Sequence, residues 1–192
     1  MDIFHLIKTR RSIRKFQKKP IPRPELEKII QAGTWAPSSM NLQPWRFVVV
    51  SDPDALKLVV REARVELARY LRTPDAEAKY GKANCERFMP RAEGKDELFY
   101  GAPTILFIVD PVYGGKERFD YGLAAQNMML MAHDLGLGSC CIGLSEPLNH
   151  SKKIRDLFGL RTNETLLIAI VLGYPAESPS AKKRKIDVVT WI

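Results

Sequence analysis

Apolar positions along the chain form three kinds of run. In the first kind they recur every three or four residues. Ile3, Phe4, Leu6 and Ile7 make one side of a short helix reaching Lys8, with Asp2 placed to cap it. Leu26, Ile29 and Ile30 do the same for a helix over 25–32, entered through Pro22 and Pro24 and closed by Gly33. Leu56, Val59, Val60, Ala63 and Leu67 mark a third, capped by Asp52 with Pro53 in its first position. Another helix fits 151–158.

The second kind is unbroken. RFVVV, GAPTILFIVD and TLLIAIVLGYP read as strands, the last two as buried ones, and SCCIGL is a shorter candidate. The third kind is apolar nearly all round. Residues 119–135 have that character, with Gly136 or Gly138 as the stop, so this helix belongs in the centre of a fold or in a subunit interface. Residues 73–98 are polar and charged without a clear period, and they read as a mobile insertion or lid. The tail over 176–192 has no period either but ends in apolar residues that need something to dock on. Interleaved helices and strands predict one α+β or α/β domain, a single sheet with helices around it.

Composition narrows the function classes. With 192 residues, 45% of them apolar, the chain can bury a core. No apolar run approaches the roughly 20 residues of a membrane span, and the N-terminal charge order is wrong for a secretory leader. Cysteines number three, two of them adjacent at Cys140 and Cys141, which is a poor disulfide framework and fits a reducing, cytoplasmic setting. Adjacent cysteines strain a disulfide, so packing thiols are the simpler reading than a redox pair. The histidines, His5, His133 and His150, show no metal-ligand spacing.

The net charge is +8, concentrated in TRRSIRKF near the start and KKRK near the end. Such a balance admits nucleic acid as a partner, but no aromatic-interleaved or zinc-finger pattern accompanies it. GLGSCCIG is not a dinucleotide fingerprint, because it follows a helix and precedes a strand. Arg10, Arg11 and Arg14 around the Ser12 hydroxyl form either a solvated basic face or an organophosphate site, since guanidinium forks grip phosphate bidentately. The stretch PSSMNLQPW favours the second. Its hydroxyls and amides both donate and accept, as the edge of a flat heterocycle requires, and Pro37 and Pro44 stiffen it. Trp35 and Trp45 supply apolar walls or anchors, with Trp45 better placed for the core.

These pieces, RRSIRKF, PSSMNLQPWRFVVV, DYGLAAQNMMLMAHDLGLGSCCIG and KKRK in that order, resemble the FMN-dependent nitroreductase superfamily over nearly the whole chain. The resemblance implies an α+β fold with a mainly antiparallel central sheet, and an intertwined homodimer with FMN at the subunit interface. It places Arg10, Ser12 and Arg14 at the phosphate, ribityl chain and pyrimidine edge of FMN, with Arg11 between them. It assigns Pro37, Ser38, Ser39 and Asn41 to a loop reaching the flavin from the partner subunit. Cys141, Ile142 and Gly143 fall beside the ring, and Lys182 and Arg184 near the phosphate. The implied activity is hydride transfer from NAD(P)H through flavin N5 to a small planar acceptor, nitroaromatic or quinone-like, by a ping-pong sequence. Storage or sensing of FMN, reductive dehalogenation and flavin breakdown are the alternatives on the same site. Two features depart from the family pattern. Gly143 stands where some members carry an acidic side chain, and the mid-chain asparagine has only Asn84 in its region.

Overall fold

The structure, a computed structural model, describes residues 2–94, 98–111, 118–185 and 188–192. Its centre is a four-stranded antiparallel sheet: β1 (Arg46–Val50), β2 (Thr104–Asp110), β3 (Gly138–Ile142) and β4 (Thr165–Gly173), in the order β1-β2-β4-β3. Every residue of β2 is buried. Its alternate side chains enter two different cores, Ile105, Phe107 and Val109 on one face and Leu106 and Ile108 on the other. That double burial explains why this strand is an unbroken apolar run rather than an alternating one. A register shift where Ile108 pairs with Ile168 but Val109 pairs with Leu166 lets β4 change faces, so Leu166 joins the first core and Ile170 the second.

Helix α3 (Pro53–Tyr70) covers the first face. Asp52 caps it by accepting from the N–H groups of Asp54 and Ala55. Helices α2 (Arg23–Thr34) and α6 (Arg118–Asp134) cover the second. The remaining helices are α1 (Ile3–Thr9), α4 (Pro74–Tyr80), α5 (Lys82–Ala92) and α7 (Lys152–Leu157). No helix among the described residues is long and apolar enough to cross a membrane.

One expectation changes. Gly33 does not end α2. The helix continues to Thr34, and Gly33 is there because an added Cβ would lie 2.2 Å from the Met128 methyl of α6. This glycine sets the closeness of two helices rather than a stop. The stretch 73–98, which showed no clear period, forms two helices. Thr73 caps α4, Gly81 at φ +77° turns the chain into α5, and Ala76 and Cys85 bury in the first core. Residues 95–97 of that stretch and 186–187 of the tail lie outside the described residues.

Candidate functional site

The N-terminal basic stretch is held by the sheet. After α1, Ser12 bridges Ser139 on the edge of β3, and the Ile13 N–H donates to the Ser139 carbonyl at 3.0 Å. Further on, Gln17 N donates to Tyr174 O and Ala176 N to Lys15 O, each at 2.9 Å. The stretch lies so close to β3 that a Cβ on Gly138 would sit 2.7 Å from Ile13 Cβ. Ile13 is thus buried, and the alternation of the extended chain turns its polar neighbours outward.

Arg10 and Arg11 face a cavity of about 300 Å3, shared with His133, Ser139 and Glu177. Arg11 Nη1 is satisfied by the carbonyls of Lys8 and Arg10, at 2.6 and 2.8 Å. Two other guanidinium nitrogens, Arg10 Nη1 and Arg11 Nε, are buried without a hydrogen-bond partner. A buried donor left unpaired costs about 1–3 kcal/mol, more when charged. An anion in this cavity would meet the charge of both guanidinium groups. Glu177 is the opposing charge, and it is partly engaged by the Arg14 N–H at 2.5 Å. The Arg14 guanidinium itself lies 5.9 Å from the centre of the Tyr100 ring.

Beside this cavity, β3 alternates. Cys140 and Ile142 point into the core and Cys141 points out, its Sγ 3.6 Å from Met129 Sδ. Desolvation by the groups packed around Cys141, reinforced by Cys140 and opposed by Arg10, pushes its thiol above the usual range. It is therefore not a reactive thiolate near neutral pH. All three cysteines are free. Gly143 follows on the surface, and an added Cβ there would meet open space. A flat ring can approach the backbone at this point.

The loop after α2 is preorganised. Met40, Asn41 and Gln43 adopt left-handed φ of +48°, +55° and +47°, unusual for residues with side chains. Ser38 Oγ accepts from Gln43 N at 2.9 Å, Asn41 Oδ1 accepts from Gln43 Nε2 at 3.2 Å, and Ser39 N donates to Asp120 Oδ2 at 3.0 Å. The Tyr121 hydroxyl holds the far end through the Pro44 carbonyl at 2.8 Å. Trp45 packs on the second core, whereas Trp35 and Met40 are 80% and 86% exposed.

The structure thus brings Arg10, Arg11 and Ser12 to one end of α6 and Pro37, Ser38, Ser39 and Asn41 to the other. Cys141, Ile142 and Gly143 lie along the same side of the sheet edge as the arginines. Lys182 and Arg184 are exposed in the tail, which lines the cavity only as far as Pro179. Asn84 is exposed on α5, its amide donating to Tyr80 O at 2.9 Å. Sequence reasoning missed Thr9, His133, Asp120 and Tyr121, which hold the site in place. Thr9 opens TRRSIRKF, and Asp120, Tyr121 and His133 lie within DYGLAAQNMMLMAHDLGLGSCCIG, but only the contacts across α6 expose their role. Among the described residues no cluster fits a metal ion. A larger cavity of about 670 Å3 opens between α3, α5 and the lead into β2. None of the sequence-predicted residues reaches it.

Comparison with known proteins agrees with this geometry. The model of the Nitroreductase family matches residues 7–174. An NADH dehydrogenase of Thermus thermophilus is 31% identical over 201 residues, spanning 95% of this chain and 92% of the relative. Iodotyrosine deiodinase 1 of Rattus norvegicus is 28% identical over 206 residues, spanning 98% of this chain and 68% of the relative. The crystal structure of a nitroreductase with bound FMN from Bacteroides fragilis superposes with a TM-score of 0.80 at 26% identity, covering 100% of this chain and 99% of that one. The chain belongs to the Nitroreductase family and, with it, to the oxidoreductases.

Proposed function

We propose that the chain is an FMN-dependent oxidoreductase that carries hydride from NAD(P)H to a small planar acceptor, nitroaromatic or quinone-like, and that it works as a cytoplasmic homodimer. The observation that carries this reading is the pair of unpartnered buried nitrogens, Arg10 Nη1 and Arg11 Nε, together with an open backbone edge at Gly143, just past the strand whose Ser139 borders the same cavity. A phosphate satisfies the first feature and a flat ring the second. The bound FMN of the Bacteroides fragilis nitroreductase and the name of the Thermus NADH dehydrogenase support the cofactor and the reductant.

In this reading Arg10 and Arg11 hold the phosphate, with Lys182 and Arg184 of the tail adding charge nearby. Ser12 serves the ribityl chain. Arg14 offers a fixed cation to the pyrimidine edge, where positive charge favours the electron-rich form. The backbone of Cys141, Ile142 and Gly143 lines the ring. FMN supplies the two-electron redox chemistry when bound, so the protein needs no acid–base triad.

Two copies are needed for a closed site. Asp120, which anchors the loop, lies about 20 Å along α6 from His133 at the arginine end. The loop is therefore better placed to wall the flavin of a second copy than that of its own chain. Exposed Ile3, Phe4, Trp35 and Met40 supply apolar surface for such a contact. The tail is proposed to dock on the partner, and α4 with α5 to cover the site.

Purified protein tests this directly. The reading predicts one FMN per chain and a dimeric mass in sedimentation. A colourless monomer that does not take up added FMN contradicts it. Reductive dehalogenation is the second reading, favoured by the similarity to iodotyrosine deiodinase 1. Release of halide from a halophenol under anaerobic turnover, with nitroaromatics inert, would select it.

A further inference from the structure

His133 is a titratable group of the arginine cavity that the proposed function leaves unused. It occupies the last turn of α6. The helix stops at Gly136, φ +75°, through bonds from Gly136 N to His133 O at 3.0 Å and from Leu137 N to Ala132 O at 2.8 Å. The charged and titratable groups around it are His5 from α1, Arg10 and Arg11 from the stretch beyond, and Asp134 from its own helix. Glu177 lines the same cavity.

The hydrogen on the neutral ring can be assigned. Thr9 Oγ1 has one hydrogen, and the His5 carbonyl 2.8 Å away in the preceding turn takes it. The hydroxyl oxygen therefore accepts in its 3.0 Å contact with His133 Nε2. Neutral His133 is the Nε2–H tautomer, and Nδ1 is bare. Burial first, then the cations of Arg10 and Arg11, hold the imidazole below its ordinary range, with Asp134 pulling weakly the other way. The ring is thus mostly neutral near pH 7. The negative end of the α6 dipole favours an imidazolium at this position. An anion that neutralises the two guanidinium groups removes the part of this opposition that comes from charge, while burial remains.

We propose that His133 is a proton-linked member of the anion site: a phosphate dianion docking on Arg10 and Arg11 draws a proton from solvent onto Nδ1 of His133, so FMN binds together with that proton. One N–H bond forms, the buffer supplies the proton, and nothing is oxidised or reduced. The inference rests on the flavin reading and deepens it. Discrimination between FMN and riboflavin, which lacks the phosphate, becomes sharper toward mildly acid pH.

The test is calorimetric titration of FMN into the flavin-free full chain at about pH 7, in two buffers of different ionisation enthalpy. The wild type should take up a clear fraction of a proton per FMN, less than about half for a rise of about one pKa unit from below 6.5. The His133→Gln variant should take up none beyond the signal of the phosphate itself, whose second pKa is about 6. Riboflavin should bring none in either protein. Between pH 6.5 and 8 the wild-type affinity for FMN should fall about two- to fourfold more than that of the variant. Ring-nitrogen NMR of the wild type provides an arm that needs no substitution: Nδ1 should become protonated on FMN addition. Saturable FMN binding with His133 still neutral, or equal proton uptake in His133→Gln, overturns the inference and leaves the flavin reading standing. A wild type that binds no FMN at all overturns both.

Discussion

The backbone N–H of Ser39 donates to Oδ2 of Asp120 at 3.0 Å, which ties the proposed flavin loop to the first turn of α6. The loop holds three residues with side chains in left-handed backbone, so it needs such anchors to keep its shape. Asp120→Ala is expected to weaken FMN binding by about 1.5–3 kcal/mol, the size of a hydrogen bond to a charged group. Fluorescence titration reads this, and an unchanged affinity argues against the loop as part of the flavin site.

Arg10 makes the sharper case. Its unpartnered nitrogen means the ligand-free protein gains little from it. Arg10→Gln should lower FMN affinity at least tenfold, from about 1.5–3 kcal/mol of lost charge-assisted bonding, without lowering the thermal midpoint of the ligand-free form. A large loss of stability with FMN affinity intact would give Arg10 a structural role instead.

Gly138 tests how the arginines are positioned. A methyl group there meets Ile13 Cβ at 2.7 Å, at the root of that side chain and not at a flexible tip. Gly138→Ala must push the N-terminal stretch off β3, at a cost of about 1–3 kcal/mol. The expected result is a lower melting temperature together with weaker FMN binding. Gly136→Ala, strained at φ +75° but with open space around it, should lower stability with a smaller effect on FMN.

Acid should unfold the chain through two buried carboxylates. Glu62 titrates below its usual range chiefly because Lys153 Nζ lies 3.0 Å away, with Ser151 Oγ at 3.0 Å assisting against burial. For Glu164 burial is the largest influence and pushes upward, but the Arg161 N–H and the Arg46 guanidinium, both at 2.9 Å, outweigh it. A folded value below the unfolded one means the unfolded chain binds protons more readily. The stabilisation is therefore complete above the unfolded value of about 4.5 and is lost as pH falls through the folded values. Urea midpoints should drop steeply below about pH 5. Glu62→Gln should flatten that limb and cost about 2 kcal/mol at neutral pH, since it leaves Lys153 and Ser151 poorly paired.

The strands and capped helices were legible because their causes are local. Asp52 and Pro53 announce α3, and double burial makes β2 and β4 continuous apolar runs. Gly33 misled because a glycine required by a neighbouring helix looks, in sequence, like one required by a helix end. Helices α4 and α5 were illegible because short polar segments bury only Ala76, Cys85 and Ala92, too few positions to set a period. The arginine cluster was legible from charge and order. His133 and Asp120 were not, because what they do depends on facing Thr9 and Ser39 across the fold.

The most direct test of the account is anaerobic. The protein is reconstituted with FMN, and NADH and NADPH are added in turn without acceptor. The account predicts that at least one of them bleaches the bound flavin, and that a nitroaromatic or quinone then restores its colour. Bound FMN that neither nicotinamide reduces would contradict it.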